Sequence, residues 1–238
     1  MERDSAIRIG TAGWSIPKAA ATSFSEVGSH LERYSAHFRC AEIDSSFYRP
    51  HRPTTYAKWR ASVPRGFRFS VKAPRAITHD AKLRAVEAPL KAFLDQVGCL
   101  ENALGPILLQ LPPSLAFDPE TVRPFLDALR GLYSGDVVLE PRHLSWFDAA
   151  PDQLLSAYRV ARVAADPARC PAAAIPGGSP ELRYWRLHGS PKMYFSAYGD
   201  KINSLVSVLK PGDWCVFDNT AAGAAISDAL NLTQQLRG

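Results

Sequence analysis

The sequence predicts an α/β protein, a single (β/α)8 TIM-like barrel with an irregular or missing sixth helix. Three observations carry that prediction. Short β-rich runs alternate with longer helical patterns along the chain, which is how parallel strands joined by crossover helices read. Eight such runs follow one another, and eight units favour closure into a barrel. The 238 residues match the roughly 250 that one such barrel needs to bury its core. Residues 1–238 are therefore read as one domain.

The elements follow in order. Ile7–Gly13 reads as the first strand, ending in a glycine turn. Phe24–His37 is helical by the spacing of Phe24, Val27, Leu31, Tyr34 and Phe38. Cys40–Asp44 is the second strand, Thr54–Ser62 a short helix and Phe67–Lys72 the third strand. Leu83–Leu100 carries one apolar stripe, Leu83, Val86, Leu90, Phe93, Leu94 and Val97. Pro106–Leu111 is apolar on both faces, as a buried parallel strand is. Pro119–Leu132 is a helix with Asp118 as its cap and proline at its first position. Asp136–Leu139 is strand five, Asp152–Tyr158 a helix and Arg162–Ala165 strand six. Pro167–Pro180 is rich in Ala, Pro and Gly, so an irregular connection is expected in place of the sixth helix. Tyr184–His188 is strand seven, Asn203–Leu209 a helix, Trp214–Phe217 strand eight and Ala221–Leu236 the closing helix. An open doubly wound sheet is the alternative, but Gly10-Thr11-Ala12-Gly13-Trp14 is neither GxGxxG nor a GKS/T loop.

Composition narrows the class. Apolar residues make up 46% and charged residues 21%, ordinary for a globular chain. The net charge of +5 is a mild basic bias, compatible with an anionic ligand or with nucleic acid. Cys40, Cys99, Cys170 and Cys215 form no CxxC pair, so no zinc site is expected, and scattered thiols fit a reducing cytoplasm. Met1–Ser5 is short and charged, with no signal peptide, and no run of about 18 apolar residues marks a membrane span.

In barrel enzymes chemistry sits at the C-terminal strand ends, and the polar residues here gather there. Glu42 and Asp44 are two apart on one strand, so they share a face. Two close carboxylates can hold a cation or keep one another protonated, or one can simply brace a barrel cation such as Lys72. Lys72, Arg75 and His79 follow the third strand. Arg142 and His143 follow the fifth beside Glu140, and Arg186 and His188 share a face of the seventh. Such a cationic arc suits a phosphate or carboxylate, and equally suits a charge ladder that satisfies Glu42, Asp44, Glu140 and Asp218.

Gly189-Ser190 and Asn219-Thr220 could help hold an anion, with capping by Asn219 or Thr220 as the plain alternative. Trp14, Phe47, Tyr48, Trp146, Tyr194, Phe195 and Tyr198 could stack on a ring or merely close the core. No HxxxH, HxH or GxSxG occurs, and no metal ligand set is assigned. The candidate catalytic residues are Glu42, Asp44, Lys72 and His188. The candidate substrate contacts are Trp14, Tyr48, Arg75, His79, Gln110, Glu140, Arg142, Arg186, Asp218 and Asn219.

Several segments resemble the bacterial YecE-like family, a domain of unknown function (number seventy-two). They are Gly10–Trp14, Glu42–Arg49, Phe69–Arg75 with Ile77–His79, Leu109–Ser114, Glu140–His143 with Trp146, Tyr184–Gly189, and Phe217–Thr220 with Gly223 and Ala225. They keep their order over nearly the whole chain. The resemblance implies a TIM barrel and no established reaction. Asp44 and Asp218 stand where the family often has asparagine, and Ser15–Ala21 lacks its usual aromatics.

Three functions follow as expectations. The first is an enzyme acting on a small phosphorylated or otherwise anionic substrate, with no cofactor specified. The second is a nucleic-acid-associated protein or nuclease with a basic rim of Arg49, His51, Arg52, Arg65, Arg75 and Lys192. The third is a non-catalytic ligand-binding protein.

Overall fold

The architecture is that of a computed structural model describing residues 6–237; Met1–Ser5, read above as a short charged start, lies outside them. Its strands are β1 (Arg8–Thr11), β2 (Cys40–Ile43), β3 (Arg68–Lys72), β4 (Leu104–Gln110), β5 (Val137–Glu140), β6 (Val160–Arg162), β7 (Ala164–Asp166), β8 (Gly177–Gly178), β9 (Tyr184–Leu187) and β10 (Trp214–Phe217). Its helices are α1 (His30–Ser35), α2 (Pro53–Ala61), α3 (Glu87–Val97), α4 (Pro119–Leu132), α5 (Ala149–Ala157), α6 (Ile202–Val208) and α7 (Ala224–Gln235). One sheet runs β1-β10-β9-β7 and the other β2-β3-β4-β5-β6-β8. Among the described residues the strands pair in parallel, except β6 with β8, which is antiparallel.

The two sheets approach each other at both edges. Only Val163 separates β6, which pairs with β5, from β7, which pairs with β9. At the other edge Ala12 bridges Glu42 in parallel, and the Gly13 amide donates to the Glu42 carbonyl at 2.8 Å. Gly10 permits this approach, because a Cβ there would lie 2.1 Å from the Cys40 carbonyl oxygen. The buried Tyr34 hydroxyl links the same strands: it accepts from the Thr11 amide at 2.8 Å and donates to the Cys40 carbonyl at 2.9 Å.

Strand alternation sorts the apolar side chains into two cores. Ile9, Ile43, Val71, Ile107, Leu109, Val137, Leu139 and Phe217 pack with helix residues such as Leu90, Phe93, Val122, Leu126, Leu129 and Leu232. The opposite strand faces supply a second cluster: Cys40, Leu108, Val138, Ala161, Val163, Leu182, Tyr184, Trp214 and Val216. Each helix that joins two strands must bury its apolar stripe. α4, opened by Asp118 and Pro119, does so with Val122, Phe125, Leu126 and Leu129.

Some expected elements differ. The helix expected over Phe24–His37 is confined to α1, because a capping box between Ser29 and Glu32 starts it late. Val27 precedes that cap and is 83% exposed instead of joining a stripe. The helix expected from Leu83 begins at Glu87. Lys82, Leu83 and Ala85 take positive φ angles of 49°, 69° and 52°, a turn that buries Leu83 without continuing a helix. Strand six is split into β6 and β7 and runs from Val160. Between β7 and β9 lie a 3-10 turn, Pro171–Ala174, and β8, with no α-helix. Buried Arg162 anchors that connection, donating to Asp152 at 2.7 and 3.0 Å and to the Ala172 carbonyl at 2.9 Å. Among the described residues no helix is long and apolar enough to cross a membrane.

Candidate active site

The site continues the face that carries the second core. Reading outward by twos, β2 presents Cys40, Glu42 and Asp44, and β5 presents Val138, Glu140 and Arg142. β9 presents Tyr184, Arg186 and His188, and β10 leads from Trp214 and Val216 to Asp218. An apolar floor therefore gives way to a charged layer at the C-terminal strand ends.

The deeper layer centres on Arg186, whose side chain is fully buried. Its Nε and Nη2 donate to the Glu42 carboxylate at 3.0 and 2.6 Å, and its Nη1 donates to Glu140 Oε2 at 2.9 Å. Nη2 also lies 3.2 Å from Asp218 Oδ2. Tyr184 OH lies 3.0 Å from both Glu42 Oε2 and Ser70 Oγ, so both Glu42 oxygens are engaged. His188, also fully buried, sets Nε2 2.8 Å from Glu140 Oε1 and Nδ1 2.9 Å from Asp218 Oδ2.

Nearer solvent, Lys72 Nζ meets Asp44 Oδ1 at 2.8 Å and lies 4.3 Å from the Phe47 ring centroid. Arg142 Nη2 reaches Glu140 Oε1 at 2.6 Å and His188 Nε2 at 2.9 Å, while its buried Nε has no hydrogen-bond partner. Gln110 Nε2 donates to Glu140 Oε2 at 2.9 Å. Side-chain exposure is 29% for Asp44, 7% for Lys72, 10% for Arg142 and 12% for Asp218.

This surrounding separates the carboxylates. Burial pushes Glu140 up, but Arg142, Arg186 and His188 outweigh it and hold the group well below the usual range. Burial also opposes Asp218, yet Arg186 and His188 bring it below its ordinary value. For Glu42, burial outweighs Arg186 and raises the group. Arg186 is held well above its usual value because Asp218, Glu42 and Glu140 overcome the cost of burying it.

The structure thus brings together Glu42, Asp44, Lys72, Gln110, Glu140, Arg142, Arg186, His188 and Asp218. Other candidates lie around them. His79 sits on a π-helical turn, Ala76–Asp80, with Nδ1 2.9 Å from buried Thr78 Oγ1 and its ring 4.9 Å from Phe47. Burial, then Lys72 and Arg75, lowers its pKa. Arg75 is exposed and bonded to Asp80 at 3.0 Å, and Tyr48 is 71% exposed. Trp14 packs edge-on against Trp59 and Phe69. Asn219 is buried and donates to the Ser196 carbonyl and to Asp228. It does not cap the last helix, and neither does Thr220; Gly223, at φ 77°, holds that position. Of the aromatics, Trp146 and Tyr198 are core, while Tyr194 and Phe195 are exposed. Among the described residues no group of three His, Cys, Asp or Glu side chains is arranged to hold a metal.

Tyr184 and Ser70 were not among the sequence candidates, although each lies two residues before one, Arg186 and Lys72, on the same strand face. Asp228, which accepts from the Tyr198 amide and from Asn219, carried no such signal.

The family described as a protein of unknown function, DUF72, matches residues 8–238. The UPF0759 protein YecE of Escherichia coli K12 is 33% identical over 144 residues, which is 59% of this chain and 50% of that protein. The UPF0759 protein YunF of Bacillus subtilis 168 is 28% identical over 152 residues, 59% of this chain and 52% of that one. The chain spans about half the length of these curated relatives. A DUF72 family protein from Enterococcus faecalis V583 superposes with a TM-score of 0.81 at 20% identity, covering 98% of this chain and 96% of that one. One from Thermotoga maritima MSB8 gives 0.80 at 22%, covering 98% and 100%. At these identities the likeness to the solved structures is one of fold.

Proposed function

We propose that this chain, which belongs to the DUF72 family, binds a small phosphorylated or otherwise anionic molecule at its C-terminal strand ends and acts on it as an enzyme. One observation carries the reading: Lys72 and Arg142, paired with Asp44 and Glu140, edge onto solvent above the buried layer. Arg142 also keeps a buried Nε with no partner, a donor that an anion could take. In this reading Asp44, with Lys72 beside it, transfers the proton. Glu42, Glu140, Arg186 and His188 position the layer beneath, and Gln110 and Asp218 flank the ligand.

The same reading takes residues 1–238 as one closed (β/α)8 barrel. Its supports are the run 160–166 shared between the sheets and the Ala12–Glu42 bridge. Four free thiols fit a cytoplasmic setting.

The test is a calorimetric titration with inorganic phosphate, followed by a screen of phosphorylated metabolites. Phosphate binding that is lost in Arg142→Ala and weakened in Lys72→Met is expected, with turnover absent in Asp44→Asn. No heat and no turnover in the wild-type protein would overturn the proposal. Steeply salt-dependent retention of nucleic acid in place of phosphate would favour a nucleic-acid partner.

A further inference from the structure

We infer that Ser45 is a nucleophile, with His51 as its base, able to take an acyl group from an ester and pass it to water. The inference goes beyond the anion site and rests on different residues.

Ser45 Oγ lies 2.8 Å from His51 Nε2, within reach for direct proton transfer. Both partners are held in place. Ser45 opens a 3-10 turn, Ser45–Phe47, directly after β2. The next residue, Ser46, is buried, with its hydroxyl 2.9 Å from the Ile43 carbonyl oxygen and 2.6 Å from that of Lys72. The turn is therefore pinned to β2 and β3 while Ser45 itself stays exposed. His51 is half-buried against α2, its ring edge-on to Trp59 at 5.0 Å and to Tyr56 at 5.8 Å. Those contacts orient the imidazole. Burial, then Arg49, holds His51 below its ordinary value, which leaves it free to accept a proton at neutral pH.

The arrangement suits a two-step transfer. Ser45 Oγ attacks the ester carbonyl carbon and its proton passes to His51 Nε2. The bond to the alkoxy oxygen breaks, and the alcohol leaves with that proton. Water then attacks the acyl-serine, gives a proton to His51, and the carboxylic acid departs as the Ser45 hydroxyl is restored. One ester and one water yield one acid and one alcohol. The absence of GxSxG excludes one way of presenting a serine, and this turn is another.

The experiment is labelling of the full chain with a fluorophosphonate probe, in which an Oγ–P bond forms at Ser45 as the P–F bond breaks and HF leaves. A single adduct mapped to Ser45 is expected, and none in Ser45→Ala. His51→Gln, whose circular dichroism and melting should match wild type, is expected to label roughly a hundredfold more slowly. Hydrolysis of p-nitrophenyl acetate is expected to rise with pH as His51 loses its proton, and to lose that dependence in His51→Gln. No adduct at Ser45, or equal labelling of wild type and His51→Gln, overturns the inference. Phosphate binding without labelling would sink this inference alone, and labelling without phosphate binding would sink only the anion site.

Discussion

The guanidinium of Arg186 and the carboxylate of Glu42 meet through two hydrogen bonds, at 2.6 and 3.0 Å, with neither side chain exposed. Removing one member of such a pair leaves a buried charge without compensation. Arg186→Met strips the main counterion from Glu42 and one of three cationic partners from Glu140. A loss of about 3–5 kcal/mol is expected in guanidinium unfolding. Lys91→Ala is the control: it breaks an exposed pair with Asp95 and should cost no more than about 0.5 kcal/mol. Equal stability of Arg186→Met and wild type would remove the pair from the fold's support.

Acid should unfold the protein through the same layer. Glu140 and Asp218 have folded-state pKa values below their ordinary ones, so the folded state binds fewer protons there. Their contribution is complete above the unfolded values, near 4.5 and 3.8, and is lost as pH falls through the folded ones. Glu42 is raised and runs the other way, contributing most at low pH and losing that contribution as pH rises through its folded value. Glu140, held well below its ordinary value by Arg142, Arg186 and His188, sets the expected direction. Urea midpoints measured from pH 7 to pH 3 should therefore fall, and Glu140→Gln should flatten the fall. A wild-type midpoint that rises on acidification would contradict the assignment.

The contact between β1 and β2 can be tested at two positions. Tyr34→Phe leaves the buried Thr11 amide without the hydroxyl that it donates to, a cost of about 1–3 kcal/mol. Gly10→Ala sets a Cβ against the Cys40 carbonyl oxygen, a backbone atom that cannot swing away. One strand must move, and a loss of about 3 kcal/mol or more is expected. A Gly10→Ala protein that melts like wild type would show that the two strands do not approach this closely in solution.

Much of the site was legible because strand geometry has a period of two. Glu42 with Asp44, and Arg186 with His188, fall on one face by spacing alone, and the structure sets them against one another. Legibility failed where tertiary contacts overrode local pattern. Val27 continues an apolar spacing that the Ser29 capping box interrupts. Leu83 is buried from a turn with positive φ, which apolar periodicity cannot distinguish from a helix. The Ser45–His51 contact joins a turn to the segment before α2, and neither residue lies in a periodic element. Which charges would pair was also hidden, since Arg186 lies 142 or more residues from Asp44 and Glu42 along the chain.

Arg142 offers the sharpest separation of brace from ligand contact. Its Nη2 serves Glu140 and His188, while its Nε is buried without a partner. A lysine keeps the charge and can keep one bond to Glu140, but it cannot present a second, fixed donor to an anion. Arg142→Lys should therefore lie within about 1 kcal/mol of wild type in stability, since one charged contact survives. Its phosphate affinity should fall by roughly tenfold or more, the equivalent of one lost charge-assisted hydrogen bond. Arg142→Ala should lose both stability and binding. Calorimetry on the three proteins at one salt concentration decides the matter. If lysine binds phosphate as well as arginine does, Arg142 only balances Glu140, and the ligand does not use its guanidinium.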